Sequence, residues 1–129
     1  LITGGGSGIG RAIAELFAQQ GALVCLLEIN EQAAKDTQQT IRAQNGKAEL
    51  FACNVASQAE VAQVIAQIKE RFGKVDILVN SAGVAHIGKL TTTSETDFDR
   101  LFQVNVKGVY NCMQAAANIM LSQKRGVIL

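Results

Sequence analysis

The stretch Thr3-Gly4-Gly5-Gly6-Ser7-Gly8-Ile9-Gly10 restricts the possible folds of this chain more than any other segment. It follows the apolar pair Leu1-Ile2 and runs directly into the helical pattern Arg11-Ala12-Ile13-Ala14-Glu15-Leu16-Phe17. The segment therefore reads as strand, glycine turn, helix. Such a turn points backbone N–H groups and the positive end of a helix dipole at one spot, which favours an anion. Glycine permits the unusual dihedrals and lets a phosphate approach the main chain. A helix C-cap or a hairpin loop can also be glycine-rich, so the rest of the chain has to decide.

Beyond the turn, strand and helix patterns alternate. Ile9, Ile13, Leu16 and Phe17 share one side of the first helix, which ends near Gly21. Leu23 to Leu27 is a continuous apolar run, the pattern of a strand buried on both faces, and it terminates in Glu28. Asn30 is positioned to cap a helix over residues 31–43 whose thin apolar face is Ala34, Thr37 and Ile41. A third strand spans residues 48–53 and leads into Asn54-Val55. Ser57 caps a helix striped by Val61, Val64, Ile65, Ile68 and Phe72, which Gly73 ends. A fourth strand, residues 75–79, closes on Asn80-Ser81-Ala82-Gly83. After a polar loop, Ser94 and Asp97 form a capping-box pattern at the head of a long helix running to about Ser122. Gly126 to Leu129 starts a fifth strand.

Short connections between parallel strands require right-handed crossovers, so the expectation is an α/β doubly wound parallel sheet in the order 3-2-1-4-5, cut after its fifth strand. Residues 1–129 form one dinucleotide-binding domain in this reading. Ligands of such sheets bind beyond the carboxyl ends of the strands. The glycine turn, Glu28, Asn54 and Asn80 all fall there.

Composition excludes several function classes. Apolar residues make up 48% and charged residues 18%, which describes a globular chain and not a disordered one. The net charge is +1 with no basic block, which argues against nucleic acid or an anionic membrane as partner. No apolar run reaches the length of a membrane span. There is no leader pattern at the start, although the chain opens inside a strand. Cys25, Cys53 and Cys112 are far apart and have no metal-ligand spacing, so they read as buried thiols of a reducing, cytoplasmic compartment, and no metal site is expected.

Several single residues carry chemistry. A carboxylate at Glu28 is placed to accept hydrogen bonds from both adenosine ribose hydroxyls and to repel a 2′-phosphate. No Arg or Lys stands in the glycine turn, so NAD is favoured over NADP; the alternative is a solvated strand end. On the long helix, at about 100° per residue, Phe98, Leu101, Phe102, Val109, Cys112, Met113, Ala116, Ile119 and Met120 make one stripe with Asn105 near its centre. That amide is either satisfied by nearby backbone in the core or positions a water or backbone group beside an active site. His86 reads as a loop residue. Tyr110 lies outside the stripe and reads as packing or interface.

Together, Thr3-Gly4-x-x-x-Gly8-x-Gly10, Asn80-Ser81-Ala82-Gly83 and Asn105-Val106-Lys107-Gly108, in that order along the whole chain, resemble the short-chain dehydrogenase/reductases. The nearest flavour is that of 3-oxoacyl-acyl-carrier-protein reductases and small alcohol or sugar dehydrogenases. The resemblance implies hydride transfer between a nicotinamide cofactor and a carbonyl/alcohol substrate. It implies that Gly4, Ser7, Gly8, Ile9 and Gly10 serve the cofactor pyrophosphate and nearby ribose, and that Glu28 takes the adenosine ribose. Asn54 and Val55 would flank adenine, with Asn54 standing where the family usually has Asp. Asn80, Ala82 and Gly83 would line the ribose region and brace the central strands, with Ser81 where a second Asn is common. Val104 would touch adenine, and Asn105 would keep a water in the proton relay. The family also implies a homodimer or homotetramer.

The family's catalytic Ser and its Tyr-x-x-x-Lys follow the fifth strand, beyond Leu129. The expectation is therefore the N-terminal part of a longer single-domain enzyme, inactive by itself. Two rivals remain. One is a non-catalytic dinucleotide-binding module. The other is a methyltransferase-like nucleoside-cofactor enzyme, against which the Asn80 and Asn105 motifs argue. A P-loop nucleotidase is excluded because no Gly-Lys-Ser/Thr follows the turn.

Overall fold

The computed structural model describes residues 1–129. Five parallel strands, β1 (Ile2–Thr3), β2 (Leu23–Glu28), β3 (Lys47–Ala52), β4 (Ile77–Asn80) and β5 (Val127–Ile128), line up in the order β3-β2-β1-β4-β5. The order is the expected one, and the strand bounds move by only one or two residues. In register, Thr3 lies between Leu27 and Asn80, so the glycine turn leaves the sheet at the centre of its carboxyl edge.

The helices are α1 (Gly8–Gln19), α2 (Glu31–Ala43), α3 (Gln58–Phe72), α4 (Glu95–Phe102) and α5 (Val109–Gln123), with a π-helical segment Gln103–Gly108 joining the last two. Their ends follow side-chain chemistry. Asn30 Oδ1 accepts from the Ala33 N–H at 3.1 Å, and Ser57 Oγ accepts from the Glu60 N–H at 3.4 Å. Gly73 takes φ +76 to close α3, a left-handed conformation that favours glycine. Ser94 and Asp97 form a full capping box.

Alternation along β2 divides the core into two layers. Val24 and Leu26 pack with Ala14, Ala18 and Ile41 beneath α1 and α2, while Cys25 and Leu27 pack with Val61, Ile65, Cys112 and Ala116 beneath α3 and α5. Burial on both faces is why β2 reads as an unbroken apolar run.

Two helical faces differ from expectation. On α1 the buried residues are Gly10, Ala14 and Ala18, whereas Ile9 is 77% and Leu16 53% exposed. Small side chains let α1 lie close to the sheet, and a Cβ on Gly10 would overlap the Gly4 carbonyl oxygen. Ile9 and Leu16 are turned outward, while Ile13 and Phe17 pack, partly buried, against this layer as expected. The long stripe also breaks. A π turn holds more residues than an α turn, so a constant angular count loses phase across Gln103–Gly108. Cys112, Ala116 and Met120 are buried as expected, but Phe98, Phe102 and Met113 are exposed. Asn105 is exposed rather than central to a buried face, and the buried amide is Asn111.

Candidate functional site

The glycine turn is fastened to the sheet by Thr3, which is 2% exposed. Its Oγ1 accepts from the N–H groups of Ser81 and Ala82, each at 3.0 Å, and donates to the Val79 carbonyl at 3.4 Å. One hydroxyl thus joins the ends of β1 and β4 at the switch point. Gly4 has φ +66, and a Cβ there would stand 2.7 Å from Ala82 Cα. The two chain segments touch backbone to backbone, which no larger residue permits.

Past this contact the chain reaches Ser7, an extended N-cap whose side chain makes no capping bond. Gly8 has φ +52, with nothing within 4 Å of where a Cβ would sit. The first N–H groups of α1 have no intrahelical acceptors. Here a free hydroxyl, an open main chain and a positive helix end converge, which is a cradle for an oxyanion.

Glu28 ends β2 beside this cradle. Its Oε2 accepts from the Gly6 N–H at 3.1 Å, and its Oε1 accepts from the N–H groups of Ile29 and Asn30 at 3.0 and 3.1 Å. Three main-chain donors fix the orientation of the carboxylate. Behind it, Thr37 Oγ1 donates to the Gly6 carbonyl at 3.3 Å, tying the turn to α2 as well.

At the end of β3, Asn54 Oδ1 accepts from the Ala56 N–H at 3.0 Å, and the Asn54 N–H donates to Glu60 Oε2 at 3.0 Å. The Asn54 amide therefore shapes its own turn, and one lone pair of its carbonyl oxygen is already committed. Val55 is held from the far side, where Asn111 Nδ2 donates to its carbonyl at 2.9 Å.

These elements surround one cleft of about 790 Å³. From the expected set, Gly4, Ser7, Gly8 and Ile9 line it on one side, and Glu28, Asn54 and Val55 at the ends of β2 and β3. Ala82, Gly83 and Val104 complete the expected lining. Three expected residues stand behind it. Gly10 packs against Gly4. Asn80 donates its N–H and Nδ2 to the Leu129 carbonyl at 2.9 and 3.1 Å, bracing β4 against β5. Asn105 clamps Val84, whose N–H donates to Oδ1 and whose carbonyl accepts from Nδ2, both at 2.9 Å. The Asn105 amide thus holds the backbone of Val84, a residue that lines the cleft.

Sequence reasoning passed over Thr3, Arg100, Gln103 and Asn111. Thr3 was legible as the residue ahead of the first glycine. Asn111 was hidden by the phase slip of the π-helical segment. Cys53 also lines the cleft, and burial pushes its thiol up to about 11, away from the thiolate form. His86 Nδ1 lies 3.7 Å from Asp97 Oδ1, in the loop outside the cleft. Tyr110 is 56% exposed and its hydroxyl accepts from Gln114 Nε2 at 3.2 Å, so it does not pack within the chain. No group of His, Cys, Asp and Glu is arranged to hold a metal ion.

Comparison with known proteins agrees with this geometry. The chain is 43% identical over all 129 residues to an uncharacterised oxidoreductase of Thermotoga maritima, of which it covers 51%. It superposes with a TM-score of 0.94 and 34% identity on a metagenomic short-chain oxidoreductase solved with NADP, covering 98% of this chain and 58% of that one. It superposes equally well, at 0.94 and 30% identity, on an NAD+-bound xylitol dehydrogenase, covering 98% of this chain and 49% of that one. The chain thus spans about half the length of the relatives it matches. The family model for short chain dehydrogenases matches residues 1–129, and the chain belongs to that family.

Proposed function

We propose that the protein carrying this chain is a nicotinamide-dependent oxidoreductase acting on a carbonyl/alcohol pair, and that residues 1–129 are its cofactor-binding portion. The observation that carries this reading is the single cleft in which the oxyanion cradle of Ser7 and Gly8 faces the fixed carboxylate of Glu28. Those features fit a dinucleotide: the main chain at Gly8 is open, with nothing within 4 Å of where a Cβ would stand, which leaves room for a phosphate. The two solved relatives hold NADP and NAD+ respectively, which supports the same class of ligand.

In this reading Gly4, Ser7, Gly8, Ile9 and Gly10 form the pyrophosphate cradle, with Gly10 setting how closely α1 approaches. Glu28 accepts from the adenosine ribose hydroxyls with the lone pairs left by its three N–H donors. Asn54, Val55 and Val104 flank adenine. Ala82 and Gly83 line the ribose region, and Asn80 braces it. When bound, a nicotinamide supplies the hydride acceptor or donor. Asn105, through Val84, keeps the cleft wall in place and supports a water of the proton relay. The proton donor for the alkoxide belongs to the Ser and Tyr-x-x-x-Lys segment expected beyond Leu129.

NAD is proposed over NADP. A carboxylate fixed by three N–H groups cannot swing away from a 2′-phosphate, and no basic side chain stands in the glycine turn. A homodimer or homotetramer is proposed because Phe98, Phe102, Val106 and Tyr110 recur along one line and are all exposed. No helix is long and apolar enough to cross a membrane. A cytoplasmic setting is proposed because all three cysteines are free thiols buried in the core. The test is titration of the full-length protein with NADH and NADPH by fluorescence. Tighter binding of NADH is expected. Binding of S-adenosylmethionine with no response to either dinucleotide would overturn the reading.

A further inference from the structure

The chain has five arginines, and four of them are committed. Arg11 Nε donates to Glu15 Oε1 at 2.7 Å. Arg42 donates to the Ala48 carbonyl at 3.0 Å. Arg71 pairs with Glu49 at 3.2 Å and lies over the Phe72 ring. Arg125 pairs with Asp76 at 3.1 Å. Arg100, on α4, makes no side-chain hydrogen bond and no ion pair, and it is the one arginine that lines the cleft. The nearest acid one turn back, Asp97, is engaged by Ser94 Oγ at 2.6 Å.

The cleft lining contains one cation, Arg100, and one carboxylate, Glu28. Glu28 accepts from three main-chain donors and forms no ion pair with Arg100. A guanidinium with all five donors free is a preformed fork for an oxyanion. It lines the α4 side of the cleft together with Gln103 and Val104, in the same cleft as Ser7 and Gly8.

We infer that Arg100 is a cofactor-anchoring residue: its guanidinium takes phosphate charge of the bound dinucleotide from the α4 side, complementing the uncharged cradle of Ser7 and Gly8. The inference rests on the dinucleotide reading of the same cleft. It explains how a pocket whose only acid is unneutralised by any protein cation receives a polyanion. The cradle alone offers dipoles, and the missing monopole is Arg100.

The test uses the full-length protein and its Arg100→Gln and Arg100→Lys variants, titrated calorimetrically with ADP-ribose and with adenosine at two salt concentrations. Arg100→Gln is expected to weaken ADP-ribose about tenfold, the size of one charge-assisted bond, and to flatten the salt dependence of Kd. Arg100→Lys should recover most of that loss, and adenosine should bind all three proteins alike. Equal ADP-ribose affinity in wild type and Arg100→Gln overturns the inference. So does a parallel loss for adenosine, which would assign Arg100 to the base instead of the phosphates. If wild type itself does not bind ADP-ribose, the dinucleotide reading fails first, and the inference with it. The side chain is exposed on α4, so Arg100→Gln should leave the thermal midpoint unchanged. The Lys variant and the salt slope decide the matter if it does not.

Discussion

Asn111 Nδ2 donates to the Val55 carbonyl at 2.9 Å and so ties α5 to the loop after β3. Both residues are buried, Asn111 at 1% and Val55 at 7% exposure. Gly108, one turn earlier, lies so close that a Cβ would stand 2.8 Å from Val55 Cγ2. The position of one cleft wall is therefore set by a helix whose side chains do not themselves line the cleft.

Asn111→Ala should destabilise the fold by about 1–3 kcal/mol, because the Val55 carbonyl loses its buried partner. Dinucleotide affinity should fall as well, since Val55 is proposed to flank adenine. Urea unfolding and NADH titration of the same variant measure the two effects. A stability loss with unchanged affinity would remove Asn111 from the support of the site.

Thr3→Val tests the switch-point hydroxyl. The substitution nearly preserves shape but removes the acceptor for the Ser81 and Ala82 N–H groups. Two partly buried donors left unpaired should cost about 2–4 kcal/mol, while Thr3→Ser should retain most of the wild-type stability. Equal midpoints for Val and Ser in chemical denaturation would contradict this account.

How far the sequence could be read depended on how local the determinant was. The two-faced burial of β2 and the caps at Asn30, Ser57 and Ser94 rest on nearest-neighbour chemistry, and strand order on the right-handed crossover rule, and all were legible. The α1 face was not. Apolar periodicity pointed to Ile9, Ile13, Leu16 and Phe17, of which only Ile13 and Phe17 pack on the core, and close approach to the sheet is decided by Gly10, Ala14 and Ala18, whose value lies in being small. The π-helical segment was equally hidden, because nothing in Gln103-Val104-Asn105-Val106-Lys107-Gly108 announces an extra residue per turn. That segment moves Asn105 out of the core and puts Asn111 in. In the site, the motif residues were recognisable one by one. Arg100 was not, because its significance is that every other arginine has a partner.

The buried thiols predict a fall in stability at high pH. Burial raises Cys53 to about 11 and Cys112 to about 12, from an ordinary value of 9.0. In the unfolded chain both ionise near 9, so above that pH the unfolded state holds fewer protons than the folded one. Stability should therefore be unaffected below about pH 8, decline as pH rises through 9, and level off above the folded values. Urea midpoints at pH 8, 9 and 10 measure the slope. Cys112→Ala should reduce it, and an unchanged slope in that variant would locate the sensitivity elsewhere.

Glu28→Gln tests the proposed cofactor preference. The amide keeps an oxygen for the N–H donors of Ile29 and Asn30, sets an NH2 against the Gly6 N–H, and removes the negative charge. NADPH affinity should rise relative to NADH by about tenfold, since a close like-charge contact costs on that order. The ratio of Kd values for the two cofactors is the measurement. A ratio equal to that of wild type would mean that discrimination does not pass through Glu28.

Asn105 allows stability and function to be separated. Its amide closes a two-bond ring with the Val84 backbone, but it sits on an exposed segment where water can replace both bonds. Asn105→Ala should therefore cost less than about 1 kcal/mol of folding stability. Its local effect should be larger: the Val84 N–H loses its only side-chain acceptor, and its amide hydrogen exchange should accelerate. Asn105→Asp is more revealing. The carboxylate still accepts from the Val84 N–H, but it sets a second oxygen against the Val84 carbonyl, where the amide had a donor. If the donor half of the clamp matters, Asp should perturb Val84 exchange at least as much as Ala does at neutral pH. Protonation near the ordinary carboxylic pKa would give the side chain a donor again, so the Asp variant should recover protection as pH falls below about 4. In the full-length protein both variants should lower kcat far more than they raise the Kd for NADH, because Asn105 is proposed to act on the proton relay and on one cleft wall, not on the phosphate cradle. A loss confined to NADH affinity, with kcat preserved, would place Asn105 in cofactor binding alone.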